Sequence, residues 1–69
     1  MIEIRVAELM GRRRLTKKDV ATMTGIRPNT IADLWYGRSK RIDLKHLDSL
    51  CAALDCQPGD ILAYISNDV

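Results

Sequence analysis

Residues 15–37 carry two short helical patterns separated by only four residues, and this spacing constrains the fold more than any other feature of the chain. Thr16 is a good N-cap, and Asp19 falls three positions later, where a carboxylate faces the positive end of a helix. Val20, Ala21 and Met23 carry that helix to about Thr24. Gly25 then ends it, because it adopts positive φ without steric cost. Pro28 suits the first turn of the next helix, where its missing N–H is not needed. Ile31, Leu34 and Trp35 form the inward stripe of that helix, and Gly37 stops it. Two helices of about eight residues joined through Thr24-Gly25-Ile26-Arg27 must cross steeply, which is helix-turn-helix geometry over about 17–36. Ala21 is small where the helices approach, and Ile26 plugs the angle between them.

Flanking segments supply the rest of a small bundle. Val6, Leu9 and Met10 recur at helical spacing and predict a first helix over about 5–13, weakened by Gly11. Ile2 and Ile4 alternate with Glu3 and Arg5, so the first residues also suit a short strand. Residues 37–42, Gly-Arg-Ser-Lys-Arg-Ile, read as a basic loop. Asp43 caps a fourth helix with Leu44, Leu47, Leu50, Cys51 and Leu54 on its apolar face, and Asp55-Cys56-Gln57 breaks it. Pro58 opens a fifth short helix with Ile61, Leu62 and Ile65 inward, and residues 66–69 are expected to fray. The expected fold is all-α, a compact five-helix bundle in one domain over 1–69.

The 69 residues carry a net charge of +2, but unevenly. Residues 1–45 hold all eleven Lys and Arg against five acids, a net of +6. Residues 46–69 hold four acids and no Lys or Arg. Such a dipolar domain offers one basic side to a polyanion, unless the basic residues merely solvate helix faces. No apolar run approaches the ~18 residues of a membrane span, and the N-terminus lacks the apolar stretch of a secretory signal.

Chemistry-bearing residues are sparse. Cys51 and Cys56, five apart, fall on different faces of a continued helix and read as two reduced thiols, consistent with a cytoplasmic protein. His46 is the single histidine, too few for a four-ligand zinc site with two thiols, and it reads as solvated. There is no nucleophile–base set, no carboxylate pair in an apolar setting and no phosphate-binding glycine loop. An enzyme, a cofactor, a metal site and a small-molecule ligand are therefore not expected.

The pattern Leu15, Val20, Ala21, Gly25, Ile26, Ile31, Leu34, Gly37 resembles the lambdoid phage repressor and Cro-like helix-turn-helix domains, the Xre group. The likeness continues through Leu47-x-x-Leu50-Cys51-x-x-Leu54 and Pro58-Gly59-Asp60-Ile61-Leu62, nearly the whole chain, and is closest to short members consisting of this domain alone. The resemblance implies a five-helix bundle that binds double-stranded operator DNA as a homodimer, a transcriptional regulator of the repressing kind. Three departures from the pattern matter. Lys17 replaces the usual Gln and keeps a phosphate role. Arg27 replaces a Ser or Thr cap and reads as a phosphate contact. Met10 and Trp35 replace an Arg–Glu pair between the first and third helices, an exchange that need not lower stability.

With Ile31, Leu34 and Trp35 inward, the third helix presents Pro28, Asn29, Ala32, Asp33 and Tyr36 outward to a major groove. Asn29 suits bidentate pairing with adenine, and Ala32 a thymine methyl. Asp33 suits a cytosine amine, or else pairs with Arg27 or Lys17. Thr30 suits a phosphate or base, or is a partly buried helix hydroxyl. Lys17, Lys18, Arg27, Arg38, Lys40 and Arg41 are expected on phosphates, which fix register without reading sequence. Tyr36 either joins them or stacks on neighbours of Trp35. Arg12, Arg13 and Arg14 suit the C-terminal end of the first helix equally well. One short recognition helix reads too few base pairs for genomic specificity, so two copies are expected. Their contact is expected at Cys56, Ile61, Tyr64 and Ile65, although Ile61 and Ile65 also suit the core. The main alternative is a protein-binding helix-turn-helix such as an antitoxin or anti-regulator. Enzyme fragments lack a chemical constellation, and RNA binding lacks interleaved aromatics.

Overall fold

A computed structural model describes residues 1–66. The elements run β1 (Ile2–Ile4), α1 (Val6–Arg12), α2 (Lys17–Thr24), α3 (Pro28–Trp35), α4 (Leu44–Leu54), α5 (Pro58–Ile61) and β2 (Leu62–Tyr64). The expected fraying of the end lies, for residues 67–69, outside the described residues.

Local capping explains most of these boundaries. Thr16 and Asp19 form a reciprocal capping box at α2: the Asp19 N–H donates to Thr16 Oγ1 at 3.0 Å, and the Thr16 N–H donates to Asp19 Oδ2 at 2.9 Å. The Thr16 backbone and hydroxyl bonds hold the Asp19 carboxyl below its ordinary range. A lowered carboxyl stabilises the fold above the ordinary carboxylate pKa, and that contribution is lost as pH falls through the lowered value. Thr16→Ala is expected to reduce stability by about 1 kcal/mol and to weaken this acid dependence. Urea titrations at neutral and acidic pH measure both effects.

One core cluster joins the helices: Val6, Leu9, Met10, Val20, Ile26, Ile31, Leu34, Leu50, Leu54 and Ile61. Met10 is fully buried and Trp35 packs against the same cluster, so the apolar exchange between the first and third helices is accommodated. Leu44, expected on the apolar face of α4, is instead exposed. As the first helical residue after the Asp43 cap it precedes the stripe formed by Leu47, Leu50 and Leu54.

Three sequence expectations need correction. The fold is not strictly all-α: β1 and β2 pair antiparallel, with Ile2 opposite Tyr64, Glu3 opposite Ala63 and Ile4 opposite Leu62. The pairing extends at both ends, through the Ile65 N–H to Met1 O at 2.8 Å and the Arg5 N–H to Ile61 O at 2.7 Å. The fifth helix is a single turn. Its chain runs into an extended segment because the N-terminal strand satisfies backbone groups that another helical turn would have paired internally.

The two cysteines also do not diverge. Asp55 enters the left-handed region at φ 49°, and the N–H groups of Asp55 and Cys56 both return to the Cys51 carbonyl, the latter at 3.0 Å. This is a Schellman helix end, which brings the side chains at its two outer positions into contact. Cys51 and Cys56 occupy those positions as free, half-buried thiols. Burial, and then the neighbouring Cys51, push the Cys56 thiol up from its ordinary pKa.

Candidate nucleic-acid interface

The turn between α2 and α3 is held by more than its glycine. Gly25 sits at φ 72°, and its N–H donates to Ala21 O at 2.9 Å. Thr24 also bridges the corner: its hydroxyl donates to Val20 O at 2.6 Å and accepts the Ile26 N–H at 3.2 Å. Ile26 is thereby anchored in the core, only 4% exposed. Sequence reasoning passed over Thr24, although a hydroxyl residue in the last helical turn, just before a glycine, was the available signal.

Fixing this corner sets the direction of α3. Its N-cap, Arg27, is extended and makes no side-chain cap bond, and Pro28 occupies the first turn. Ile31 and Leu34 are buried beneath it. Pro28, Asn29 and Asp33 are exposed on the opposite side, with Thr30 and Ala32 half-buried beside them. Lys17, Lys18, Arg27 and Pro28 line one hollow with Ala21, Thr22, Gly25 and Ile26, between α2 and the start of α3. Three of the cations expected on phosphates, Lys17, Lys18 and Arg27, therefore border one hollow with the first residue of the helix expected to read bases.

Several side chains on this surface already have partners. The Lys17 ammonium lies 4.9 Å from the Trp35 ring centre and 4.8 Å from that of Tyr36, and it donates to the Tyr36 hydroxyl at 3.3 Å. Arg38 lies 4.8 Å from the Tyr36 ring centre. It also pairs with Asp33, through Nε at 3.2 Å and Nη2 at 3.1 Å. Asp33 is thus paired with Arg38, not with Arg27 or Lys17. Gly37, at φ 70°, turns the chain back so that the Arg38 N–H reaches Asp33 O at 2.8 Å.

Other expected contacts lie elsewhere. Lys40 and Arg41 border a separate hollow with residues 1–4, Gly37, Ser39, Ile42 and Leu62. Arg12 pairs with Glu8 at 2.6 Å, and Arg13 donates to Asp55 O at 3.1 Å, so both are engaged away from α3. Of the residues expected at a dimer contact, Ile61 is fully buried in the core, Cys56 and Ile65 are half-buried, and Tyr64 is 74% exposed. Ile2, opposite Tyr64 on the ribbon, is 63% exposed and was not among the residues expected there. No helix among the described residues is long and apolar enough to cross a membrane.

Comparison with known proteins places this geometry in a family. An HTH-type transcriptional regulator of Bacillus subtilis (strain 168), YozG, itself described as uncharacterised, is 34% identical over 67 residues, covering 97% of this chain and 80% of that protein. The crystal structure of a candidate DNA-binding protein from Bacteroides fragilis shares the fold, with a TM-score of 0.80 at 21% identity, covering 91% of this chain and 100% of that one. Residues 5–67 match the Cro/C1-type HTH DNA-binding domain, a span that takes in the capped α2, the Gly25 corner, α3 and the supporting helices. The chain therefore belongs to the family of Cro/C1-type helix-turn-helix DNA-binding domains.

Proposed function

We propose that the protein regulates transcription by binding double-stranded DNA, with α3 lying in the major groove and reading sequence there. The observation that carries this reading is the surface of α3. Ile31 and Leu34 are buried, Pro28, Asn29 and Asp33 are exposed on the other side, and Lys17, Lys18 and Arg27 border a hollow at its start. A phosphate backbone on that rim would run past the N-terminus of α2, whose N–H groups favour an anion.

Roles follow from position. Pro28, Asn29, Ala32 and Asp33 face base edges, and Asn29 is the residue best suited to a bidentate contact with adenine. Asp33 accepts from Arg38 through Oδ1, which leaves Oδ2 to accept from a cytosine amine. Lys17, Lys18, Arg27, Thr30, Arg38, Lys40 and Arg41 engage phosphates. Two copies bind one pseudo-palindromic site, the usual consequence of short half-site recognition. Tyr64 is the centre of the contact between them, with Cys56 and Ile65 at its margin, while Ile61 supports β2 from within the core. The activity is non-enzymatic, cytoplasmic and repressive in this reading.

Asn29→Ala separates base reading from backbone contact. It is expected to lose about 1–3 kcal/mol on a duplex selected from random DNA and little on an unrelated duplex. Fluorescence anisotropy on the two duplexes measures the difference. Equal loss on both would assign Asn29 to the backbone, and no binding by the unaltered chain to any selected duplex would reject the function.

A further inference from the structure

The Tyr36 ring is met by two cations that come from different parts of the chain. Lys17 reaches its ring from the first turn of α2, and Arg38 reaches it from beyond the end of α3. Both lie 4.8 Å from the ring centre. The seat is built on each side. Trp35 adds a second ring under the Lys17 ammonium at 4.9 Å, and the Asp33 carboxylate accepts from the Arg38 guanidinium. The backbone sets the corner, since the Tyr36 N–H is bound to Ala32 O at 3.0 Å and the Arg38 N–H to Asp33 O at 2.8 Å.

We propose that Tyr36 is a positioning residue that gathers Lys17 and Arg38 on its ring into one preformed clamp for DNA phosphate, and does not itself bind the backbone. This rests on the DNA-binding reading above and adds how two of its phosphate contacts are made. Long basic side chains lose rotamer freedom when they grip an anion, and a cation already held over an aromatic ring has less left to lose. Asp33 offsets part of the charge on Arg38, but Lys17 forms no ion pair with a carboxylate among the described residues, so the cluster keeps a net positive charge. Phosphate bound at either cation relieves the repulsion between two like charges held on one ring. The aromatic ring meets both cations, while the hydroxyl adds a 3.3 Å hydrogen bond to Lys17 alone.

The test uses the full chain and two labelled duplexes, one selected from random DNA and one unrelated, titrated at several salt concentrations. Tyr36→Phe keeps the ring and is expected to bind within about twofold of the unaltered chain. Tyr36→Leu removes the ring and is expected to weaken both duplexes about fivefold, with the salt slope unchanged because no charge is lost. Lys17→Ala is expected to flatten the slope by about one unit, and in that background Tyr36→Leu is expected to cost no more than about twofold. A Phe variant as weak as the Leu variant would overturn the proposal by showing that the hydroxyl, through Lys17 or DNA, carries the effect and the ring does not. So would an equal cost of Tyr36→Leu with and without Lys17. NMR of the free protein supplies a reading independent of both DNA and the Leu variant's folding. The Lys17 Hε protons are expected to be shifted upfield by the rings in the unaltered chain and in Tyr36→Phe. Unshifted protons in the unaltered chain would overturn the clamp, whereas a chain that binds no DNA but shows the shift would overturn the functional reading and, with it, the phosphate role of the seat.

Discussion

Raising the salt concentration from about 50 to about 200 mM is expected to weaken DNA binding about a hundredfold per chain. Each phosphate neutralised by Lys or Arg releases condensed counterions, so affinity falls as a power of salt concentration, by about 0.9 per phosphate. Which cations count follows from their present partners. Arg5 is paired with Glu3, Arg12 with Glu8, and Arg13 donates to the Asp55 carbonyl, so these have local partners away from α3. Eight of the eleven Lys and Arg remain; Arg14 and Lys45 are not among the expected contacts, which leaves Lys17, Lys18, Arg27, Arg38, Lys40 and Arg41 as the candidates, with Arg38 partly offset by Asp33. If about four of them reach phosphates, the log–log slope per chain is roughly −3 to −4. Lys17→Ala and Arg41→Ala should each flatten it by about one unit and weaken all sequences alike. The Arg41 result is the more informative, because Lys40 and Arg41 border a different hollow from Lys17. A slope that Arg41→Ala leaves unchanged would confine the interface to the helix-turn-helix itself. An affinity flat across this salt range would reject the basic face as the binding surface.

The parts of this interface that were legible in the sequence are those with local signals. Thr16 with Asp19, Gly25, Pro28 and Gly37 each announce a helix end within a few residues, and α2 and α3 lie where they place them. The core was legible for the same reason, since Val6, Met10, Ile31, Leu34, Leu50 and Leu54 repeat at helical spacing. Partnerships that depend on where the chain goes after a helix ends were not. Asp33 pairs with Arg38 because Gly37 reverses the chain, and counting along a continued helix finds no such neighbour. Cys56 meets Cys51 because Asp55 leaves the helix with positive φ. The β1–β2 ribbon joins the two ends of the chain, and its only local trace was the alternation of Ile2 and Ile4. Ile61, Leu62 and Ile65 also fit a helical stripe, so periodicity alone extended α5 past its single turn.

That ribbon shapes the second large effect, which concerns how many chains occupy one site. Ile4 and Leu62, opposite one another, pack against the core, while the next pair on the same face, Ile2 and Tyr64, overhangs it and is mostly exposed. Two neighbouring apolar side chains on a short ribbon are poorly placed in water, and a twofold-related copy of the same pair would cover them. The location also suits a dimer on DNA. Residues 46–69 carry no Lys or Arg, so a contact through β2 adds no basic residue from this segment to the interface, leaving the cations around α3 for phosphate. A buried aromatic at the centre of a small interface commonly contributes about 2 kcal/mol or more, and twofold symmetry applies the loss twice. Tyr64→Asp, which also sets two carboxylates against each other across the axis, is therefore expected to lower affinity for a full palindromic site by about a hundredfold or more. Affinity for an isolated half-site and the helical circular dichroism should stay unchanged, because the Tyr64 side chain lies outside the core cluster. Ile2→Asp, on the facing strand, is expected to act in the same direction. Sedimentation of the complex decides the underlying model. Two chains per full site for the unaltered protein and a lower occupancy for Tyr64→Asp at the same concentration are expected, and one unaltered chain per full site at saturation would refute the dimer.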